Sequence, residues 1–541
     1  MSSAPTGNLA SLAAAVLQPG FVGTTPPPWV LRWLGDGLGS VVLFARNIVD
    51  LDQVAALTAA LRAERPDVIV AIDEEAGDVT RIESGRGSSR PGNFALGAVD
   101  DPGLTAEVAR DLGRELASVG VTLDYAPDAD VNSNPANPVI GVRAFGADPA
   151  LVARHTAAWV RGLQSGGVAA CAKHFPGHGD TRVDSHHDLP RIGGSRAQLD
   201  AAELVPFRAA VAAGVQAVMT GHLLVPALDP RLPATLSPRI LGGLLREELG
   251  FSGVIVTDAV EMRAVADRYG FAGAAVRALA AGADAICVGG ERADEDAARE
   301  LRDAIVAAVV SGELPEQRLA EAAKRVGQLA AWTVAARADA PSRPTGTPGG
   351  SPIGLAAARR AVRVTASIPG ALPLAGAPHV VEFEPPRNIA IGAETPWGIA
   401  APLAALLPGT TAVRLGGDDL GDVPAGAAGG APAGAAAGAA AGAAAGAAAG
   451  AAAGAAGRPL VLVVRDLHRH DWMRAAVARA LVARPDAVVV ELGVPALVTG
   501  AVHVATHGAT RAGALAAAEL LAGTGHATVT PLAGVAEPVI G

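Results

Sequence analysis

Apolar runs of four to six residues recur through the first half of the chain, separated by longer Ala-rich stretches of helical character. VVLF ends at Phe44, VIVAI at Ile72, VTLDYA at Ala126, VAACA at Ala172, AVMT at Thr220, VIVT at Thr257 and DAICV at Val288. Short continuous apolar runs between helices read as buried strands of βαβ units, and hence as a parallel sheet. Polar residues follow nearly every run at once: Arg46 and Asn47, Asp73 and Glu74, Asp128 and Asp130, Lys173 and His174, His222, and Asp258. Chemistry gathered at the carboxyl ends of successive parallel strands predicts an α/β fold of the (β/α)8 TIM-barrel type. A doubly wound open sheet satisfies the same alternation. The apolar stretch from Leu9 to Leu17 reads as the first helix.

The pattern changes at residues 340–354, APSRPTGTPGGSPIG, which are dense in Pro, Gly, Ser and Thr and read as a linker. The expected division is a barrel over 1–339 and a smaller C-terminal α/β sandwich domain over 355–541. HVVEF near Val381, LVLVV ending at Val464 and AVVVEL ending at Leu492 read as its strands, with the helix-forming DWMRAAVARALVARP between the last two. Residues 425–457 are almost wholly Ala and Gly, with Gly434, Gly438, Gly442, Gly446, Gly450 and Gly454 at every fourth position. That spacing is the one used where membrane helices pack closely. The tract lacks Leu, Ile, Val and Phe, and each Gly costs about 0.8–1.0 kcal/mol of helix propensity relative to Ala, so a low-complexity surface insertion is expected rather than a membrane span.

The formal charge of −10 comes without any basic run, which argues against nucleic acid or an anionic membrane as a partner. No Lys or Arg precedes the first apolar stretch, as a secretory leader would require, so a cytoplasmic protein is expected. Cys171 and Cys287 are the only cysteines, and both lie in apolar runs, which argues against a disulfide framework. Of the 43 basic residues all but Lys173 and Lys324 are arginine, so a lysine retained at a strand end is conspicuous.

Four of the 12 histidines, His174, His178, His186 and His187, fall within HFPGHGDTRVDSHH. His174 and His178, with Asp180, Asp184 and Asp188 nearby, offer ligands of zinc type. Pro176, Gly177 and Gly179 break any helix that would hold both imidazoles on one face, so the stretch reads as a loop and no metal is expected.

The pattern KHFPGHGDTRVDSHHDLP, from Lys173 to Pro190, resembles the signature of glycoside hydrolase family 3, in particular its β-N-acetylglucosaminidase branch. The resemblance covers most of residues 1–335: Leu43 to Asn47, the turn Asp73-Glu74-Glu75-Ala76-Gly77, NSNPANPVIGVRAFG from Asn132 to Gly146, and VIVTDAVEM from Val254 to Met262. It implies a retaining hydrolase with Asp258 as nucleophile, and Asp184 and His186 supplying the acid/base. The chemistry agrees, since a retaining enzyme needs a carboxylate below the anomeric carbon and a proton donor beside the leaving oxygen. Asp184 accepting a hydrogen bond from His186 would fix the tautomer and stabilise the imidazolium. The bland alternatives are a helix cap for Asp258 and a solvated loop histidine for His186.

The resemblance further implies that Asp73, Arg81, Arg143, Lys173 and His174 contact sugar hydroxyls, for which charged donors and acceptors are suited. Any of them could instead form a structural ion pair, and His178 could brace its loop. Four positions depart from the family's common form: Ala76 in place of Gly, Asp78 of Arg, Ala144 of Ser, and Ala259 of a second acid after the nucleophile. The expected substrate is a small molecule or oligosaccharide ending in β-linked N-acetylglucosamine, as in muropeptides during cell-wall recycling, with no cofactor. A β-glucosidase or xylosidase has no need of Asp184-Ser185-His186. A phosphorylase would exploit a neutral histidine that does not repel phosphate. A non-catalytic sugar-binding protein would be expected to have lost one of the three groups.

Overall fold

The computed structural model describes residues 6–181, 189–338, 350–416 apart from 369, 387, 389 and 393, then 446, 450, 455, 457–525 and 528–531. The chain divides into two compact units, Met1–Ser84 with Asp100–Gly350, and Gly85–Val99 with Ser351–Gly541.

The first unit carries eight short parallel strands: β1 (Leu17–Pro19), β2 (Ser40–Leu43), β3 (Ile69–Ile72), β4 (Leu123–Asp124), β5 (Ala169–Phe175), β6 (Ala217–Thr220), β7 (Val254–Thr257) and β8 (Ile286–Val288). Strands β2 to β7 form one sheet in sequence order, and β1 pairs with β8. Gly20 bridges Val42 of β2, and Val256 of β7 bridges Ala285 beside β8, so the order closes on itself. This is a TIM-type barrel, and closure rules out the open doubly wound sheet for this unit.

The barrel forms because most of its strands are apolar on both faces. Val42, Ile69, Ala71, Leu123, Ala169, Cys171, Ala217, Met219, Val254, Val256, Ala285 and Cys287 pack in one core. Their neighbours Val41, Val70, Ile72, Val218 and Ile255 are equally buried and, by alternation, lie on the outer face under the helices. Val326, Leu329 and Ala330 of helix Glu316–Ala338 join the interior core. Helix starts are written in the sequence: Asp101 and Asp148 accept backbone N–H bonds from Leu104 and Ala150, each with a proline at the first helical position.

Two strands differ from the expectation. The first apolar stretch is not wholly helical: helix Thr6–Ala15 is followed by β1, whose Gln18 and Pro19 hide it from a hydrophobic pattern. Strand β5 runs through Lys173 and His174 to Phe175, so these two polar residues belong to the strand instead of following it.

The second unit holds a seven-stranded sheet in the order β11-β10-β12-β13-β14-β9-β15. The strands are β9 (Arg363–Ala366), β10 (His379–Glu384), β11 (Thr411–Gly416), β12 (Leu460–Val464), β13 (Val488–Glu491), β14 (Val502–Ala505) and β15 (Thr528–Pro531). All pairings are parallel except that of β9 with β14. Two cores cover it: Val380, Val461, Val463 and Val488 pack on one face, and Val381, Leu462, Val464 and Val489 on the other. Residues 85–99, which from sequence alone fall in the first domain, cluster with this unit. Ser88 O accepts a 3.1 Å bond from Ala512 N, and helix Asn93–Val99 packs on helix Pro352–Ala361. Most of the Ala/Gly tract lies outside the described residues. Among the described residues no helix is long and apolar enough to cross a membrane.

Inside the barrel, the Tyr125 hydroxyl donates a 2.6 Å bond to Gln18 Oε1, and both residues are buried. Tyr125→Phe strands that amide oxygen and should cost about 1–3 kcal/mol. Urea unfolding is the check, and a phenylalanine variant as stable as the parent would refute it.

Candidate active site

Strands β3, β4 and β5 deliver a continuous chain of charges to the carboxyl end of the barrel. Asp73 is the first residue beyond β3, and its carboxylate meets Lys173 Nζ from β5 on one oxygen and Arg81 at 3.0 Å on the other. Lys173 Nζ also lies 2.6 Å from Glu75 Oε1. Arg143 grips Glu75 with two parallel bonds, Nη2 to Oε1 at 2.7 Å and Nε to Oε2 at 3.0 Å, the strong bidentate geometry of a guanidinium–carboxylate pair. Arg143 Nη2 is also 3.3 Å from His174 Nε2, while His174 Nδ1 is 2.8 Å from Asp130 Oδ2. The ring is therefore read with its proton on Nδ1, donated to Asp130, and Nε2 accepting from Arg143.

All five sugar-contact candidates, Asp73, Arg81, Arg143, Lys173 and His174, thus lie in one network, joined by Glu75 and Asp130. The signal for these two was present: Glu75 sits in the turn after β3, and Asp130 follows the apolar run that ends at Ala126. Nothing local marked them as counter-ions to residues on other strands.

The loops are fixed by their own polar side chains. Asn137 Oδ1 accepts from Val139 N and Ile140 N, both at 2.9 Å, and its amide donates to His178 O and Gly179 O at 2.9 and 3.0 Å. It thereby ties the Arg143 turn to the histidine loop. Asp130 Oδ1 receives His178 N at 2.7 Å, and Thr181 Oγ1 lies 2.9 Å from His178 Nδ1. His178 is buried and braces the loop. Gly179 is required by close approach, because a Cβ there would stand 1.7 Å from Val131 O. Ala76 adopts φ +58, the left-handed region, so the structural reason for a glycine at this position persists although the residue has changed.

Burial alone would raise the Asp73 and Glu75 carboxyls, but Lys173 and Arg81 hold the first, and Arg143 and Lys173 the second, below the ordinary carboxylate range. Burial likewise opposes the charge on Lys173, and Asp73 and Glu75 overcome it, raising the ammonium. Burial, with Asp130 alongside, pushes the Asp128 carboxyl well above the ordinary range, and its Oδ2 has no hydrogen-bond partner among the described residues. Asp128, Asp130 and His174 bring three donor atoms within 4.8 Å of one another. Arg143, 3.9 Å from Asp128, already supplies positive charge there, and His174 Nδ1 is engaged by Asp130.

Asp258 is the first residue beyond β7. Its backbone N–H donates to Thr220 O of β6 at 3.1 Å, and its Oδ1 accepts from Ala259 N at 2.8 Å. The carboxylate is half-buried at the same end of the barrel as the charge network. Asp184 and His186 lie outside the described residues.

The family model for the glycosyl hydrolase family 3 N-terminal domain matches residues 33–329. A beta-hexosaminidase A from Pseudoalteromonas piscicida is 34% identical over 57% of this chain, a stretch that spans 55% of that protein. A beta-hexosaminidase from Stenotrophomonas maltophilia is 39% identical over 50% of this chain and 82% of its own length. Among solved structures, a glycoside hydrolase family 3 beta-N-acetylglucosaminidase from Paenibacillus sp. aligns with a TM-score of 0.81 at 33% identity, covering 96% of this chain and 97% of that one.

Glu74 organises the turn that carries Arg81. Its Oε2 accepts from Thr80 Oγ1 at 3.0 Å, Arg81 N at 2.7 Å and Ile82 N at 2.9 Å, while Asp124 Oδ1 accepts its own N–H at 3.0 Å. Burial pushes the Glu74 carboxyl up to about 7 from the ordinary 4.5, against the pull of those donors. The folded state therefore holds this proton more tightly than the unfolded chain, a stabilisation complete below about pH 4.5 and lost as pH rises through about 7. The stability of the parent relative to Glu74→Gln should fall by about 3 kcal/mol across that window. Urea unfolding of both proteins from pH 4.5 to 8 reads it, and a difference that stays flat with pH would contradict the assignment.

Proposed function

Because the chain belongs to glycoside hydrolase family 3, we propose that it is a retaining, exo-acting β-N-acetylglucosaminidase with Asp258 as nucleophile and Asp184 and His186 as the acid/base pair. The observation that carries the reading is the grouping of a half-buried aspartate and a line of charged sugar-binding candidates at one barrel mouth. Asp73, Arg81, Arg143, Lys173 and His174 bind the non-reducing sugar in this reading. Their mutual ion pairs fix their directions before the sugar arrives, so little ordering remains to be done on binding. Muropeptides in the cytoplasm, during cell-wall recycling, are the proposed source of that sugar; the support is the resemblance of the histidine loop to the N-acetylglucosaminidase branch.

Asp258 attacks the anomeric carbon from below, and the pair of electrons in the glycosidic bond leaves with the aglycone oxygen, which takes a proton from the His186 imidazolium. The now neutral His186 removes a proton from the incoming water, whose oxygen displaces Asp258. Two inversions retain the β configuration. Asp184 holds the imidazole and stabilises its charged form.

Two experiments test the assignment. Asp258→Asn should abolish turnover while leaving sugar binding nearly intact, and a covalent trap should label Asp258; a label on Asp73 or Asp284 would refute it. His186→Ala should release one equivalent of a very acidic phenol per enzyme from an aryl N-acetyl-β-glucosaminide and then stall, with azide restoring turnover as the β-glycosyl azide. Equal slowing of activated and unactivated substrates, with no burst, would remove His186 from the role. Rates on aryl N-acetyl-β-glucosaminide and aryl β-glucoside, with and without phosphate, separate this activity from a glucosidase and a phosphorylase.

A further inference from the structure

Beyond β6, His222 is fully buried. Its Nε2 lies 3.0 Å from Ala259 O and its Nδ1 lies 2.9 Å from Thr235 Oγ1. A carbonyl oxygen only accepts, so the ring proton that matters is on Nε2, and a neutral ring then accepts at Nδ1 from the Thr235 hydroxyl. Thr235 Oγ1 is in turn 2.8 Å from Thr220 Oγ1, which can donate to it. The Ala259 carbonyl thus selects the tautomer, and the Thr235 hydroxyl, which shares its proton between His222 Nδ1 and Gly221 O at 3.1 Å, faces the other ring nitrogen.

Residue 259 matters because its own N–H donates to Asp258 Oδ1. The Ala259 carbonyl takes a second donor, Met262 N at 3.0 Å. Both ends of residue 259 are thereby held: the carbonyl by His222 and Met262, the N–H by the aspartate. On either side, Asp258 N is fixed by Thr220 O and Val260 N by Cys287 O at 3.1 Å, so the backbone of the turn is clamped between β6 and β8. With the methyl side chain of Ala259 offering no hydrogen bond, the 259 backbone carries this orientation.

Resting on the reading of Asp258 as nucleophile, we propose that His222 is a positioning residue for the nucleophile. The line Thr220–Thr235–His222–Ala259 sets the direction from which the Asp258 carboxylate meets the anomeric carbon. It touches neither substrate nor the reacting atoms, so its loss should appear in the rate of the first chemical step and not in sugar affinity.

The experiment measures the pre-steady-state burst rate and apparent Kd with 2,4-dinitrophenyl N-acetyl-β-glucosaminide for the parent, His222→Ala, His222→Gln and Thr235→Val. In His222→Ala the burst should slow roughly 10- to 100-fold with Kd changed less than about twofold, because a small misplacement of a reacting group costs rate steeply. His222→Gln, whose side-chain amide N–H can reach the Ala259 carbonyl, should recover most of that rate. Thr235→Val keeps the ring but removes the hydroxyl that supports it at Nδ1, and should fall between. A glutamine variant no faster than the alanine variant, or a rise in Kd that accounts for the whole loss, would overturn the proposal. Mass spectrometry of the trapped parent separates the two readings: a label on Asp258 with no His222 effect sinks only the positioning role, whereas a label elsewhere sinks the nucleophile assignment and this inference with it.

Discussion

The ammonium of Lys173 is buried between Asp73 and Glu75, and the arrangement of the barrel mouth follows from satisfying it. An isolated ammonium at this depth would give up its charge, so two carboxylates from the turn after β3 must converge on it. Each of these then needs a further partner, which brings in Arg81 for Asp73 and Arg143 for Glu75. Arg143 reaches only because Asn132 and Asn137 fold its turn, and its guanidinium then meets His174, which Asp130 holds from the other side. Such networks add little net stability compared with an apolar core, but removing one member leaves a buried charge uncompensated and costs about 3–5 kcal/mol. The network therefore works as a device for direction: every charged group has its geometry set before a ligand arrives.

Asp258 is held by different means. Its turn is held by backbone bonds to β6 and within the turn itself, and His222 stands behind residue 259. Cations and carboxylates neutralise one another on the β3–β5 side, and backbone groups hold the turn of Asp258 on the β6–β8 side.

The second unit obeys the same sheet physics with another topology. Strands apolar on both faces demand cover on both sides, and its two cores supply it. Glu382, near the end of β10, and Glu491, the last residue of β13, are buried among N–H groups of the following segments: Glu382 accepts from Ile399 and Ala400, and Glu491 from Asp466, Leu467 and Gly493. Side chains of this chain thus occupy the backbone donors at those strand ends.

Local pattern determined much of this protein. The apolar runs ending at Ile72, Thr220, Thr257 and Val288 end where strands end, because burial on both faces leaves an unbroken apolar signature. The residues just beyond them form the candidate site, because strand ends are where a barrel can present polar groups to water. What only tertiary structure decided is whatever depends on a partner distant in the chain. Strand β1 exists through pairing with β8 and not through its own composition, which includes a glutamine and a proline. Glu75, Asp130 and His222 matter because of residues on other strands, and a sequence shows a carboxylate or an imidazole without showing which charge or carbonyl faces it. Residues 85–99 join the second unit by contacts with segments beyond 350 that no local periodicity encodes. Hydrophobic alternation is a property of neighbours along the chain, whereas closure, ion pairing and tautomer choice are properties of neighbours in space.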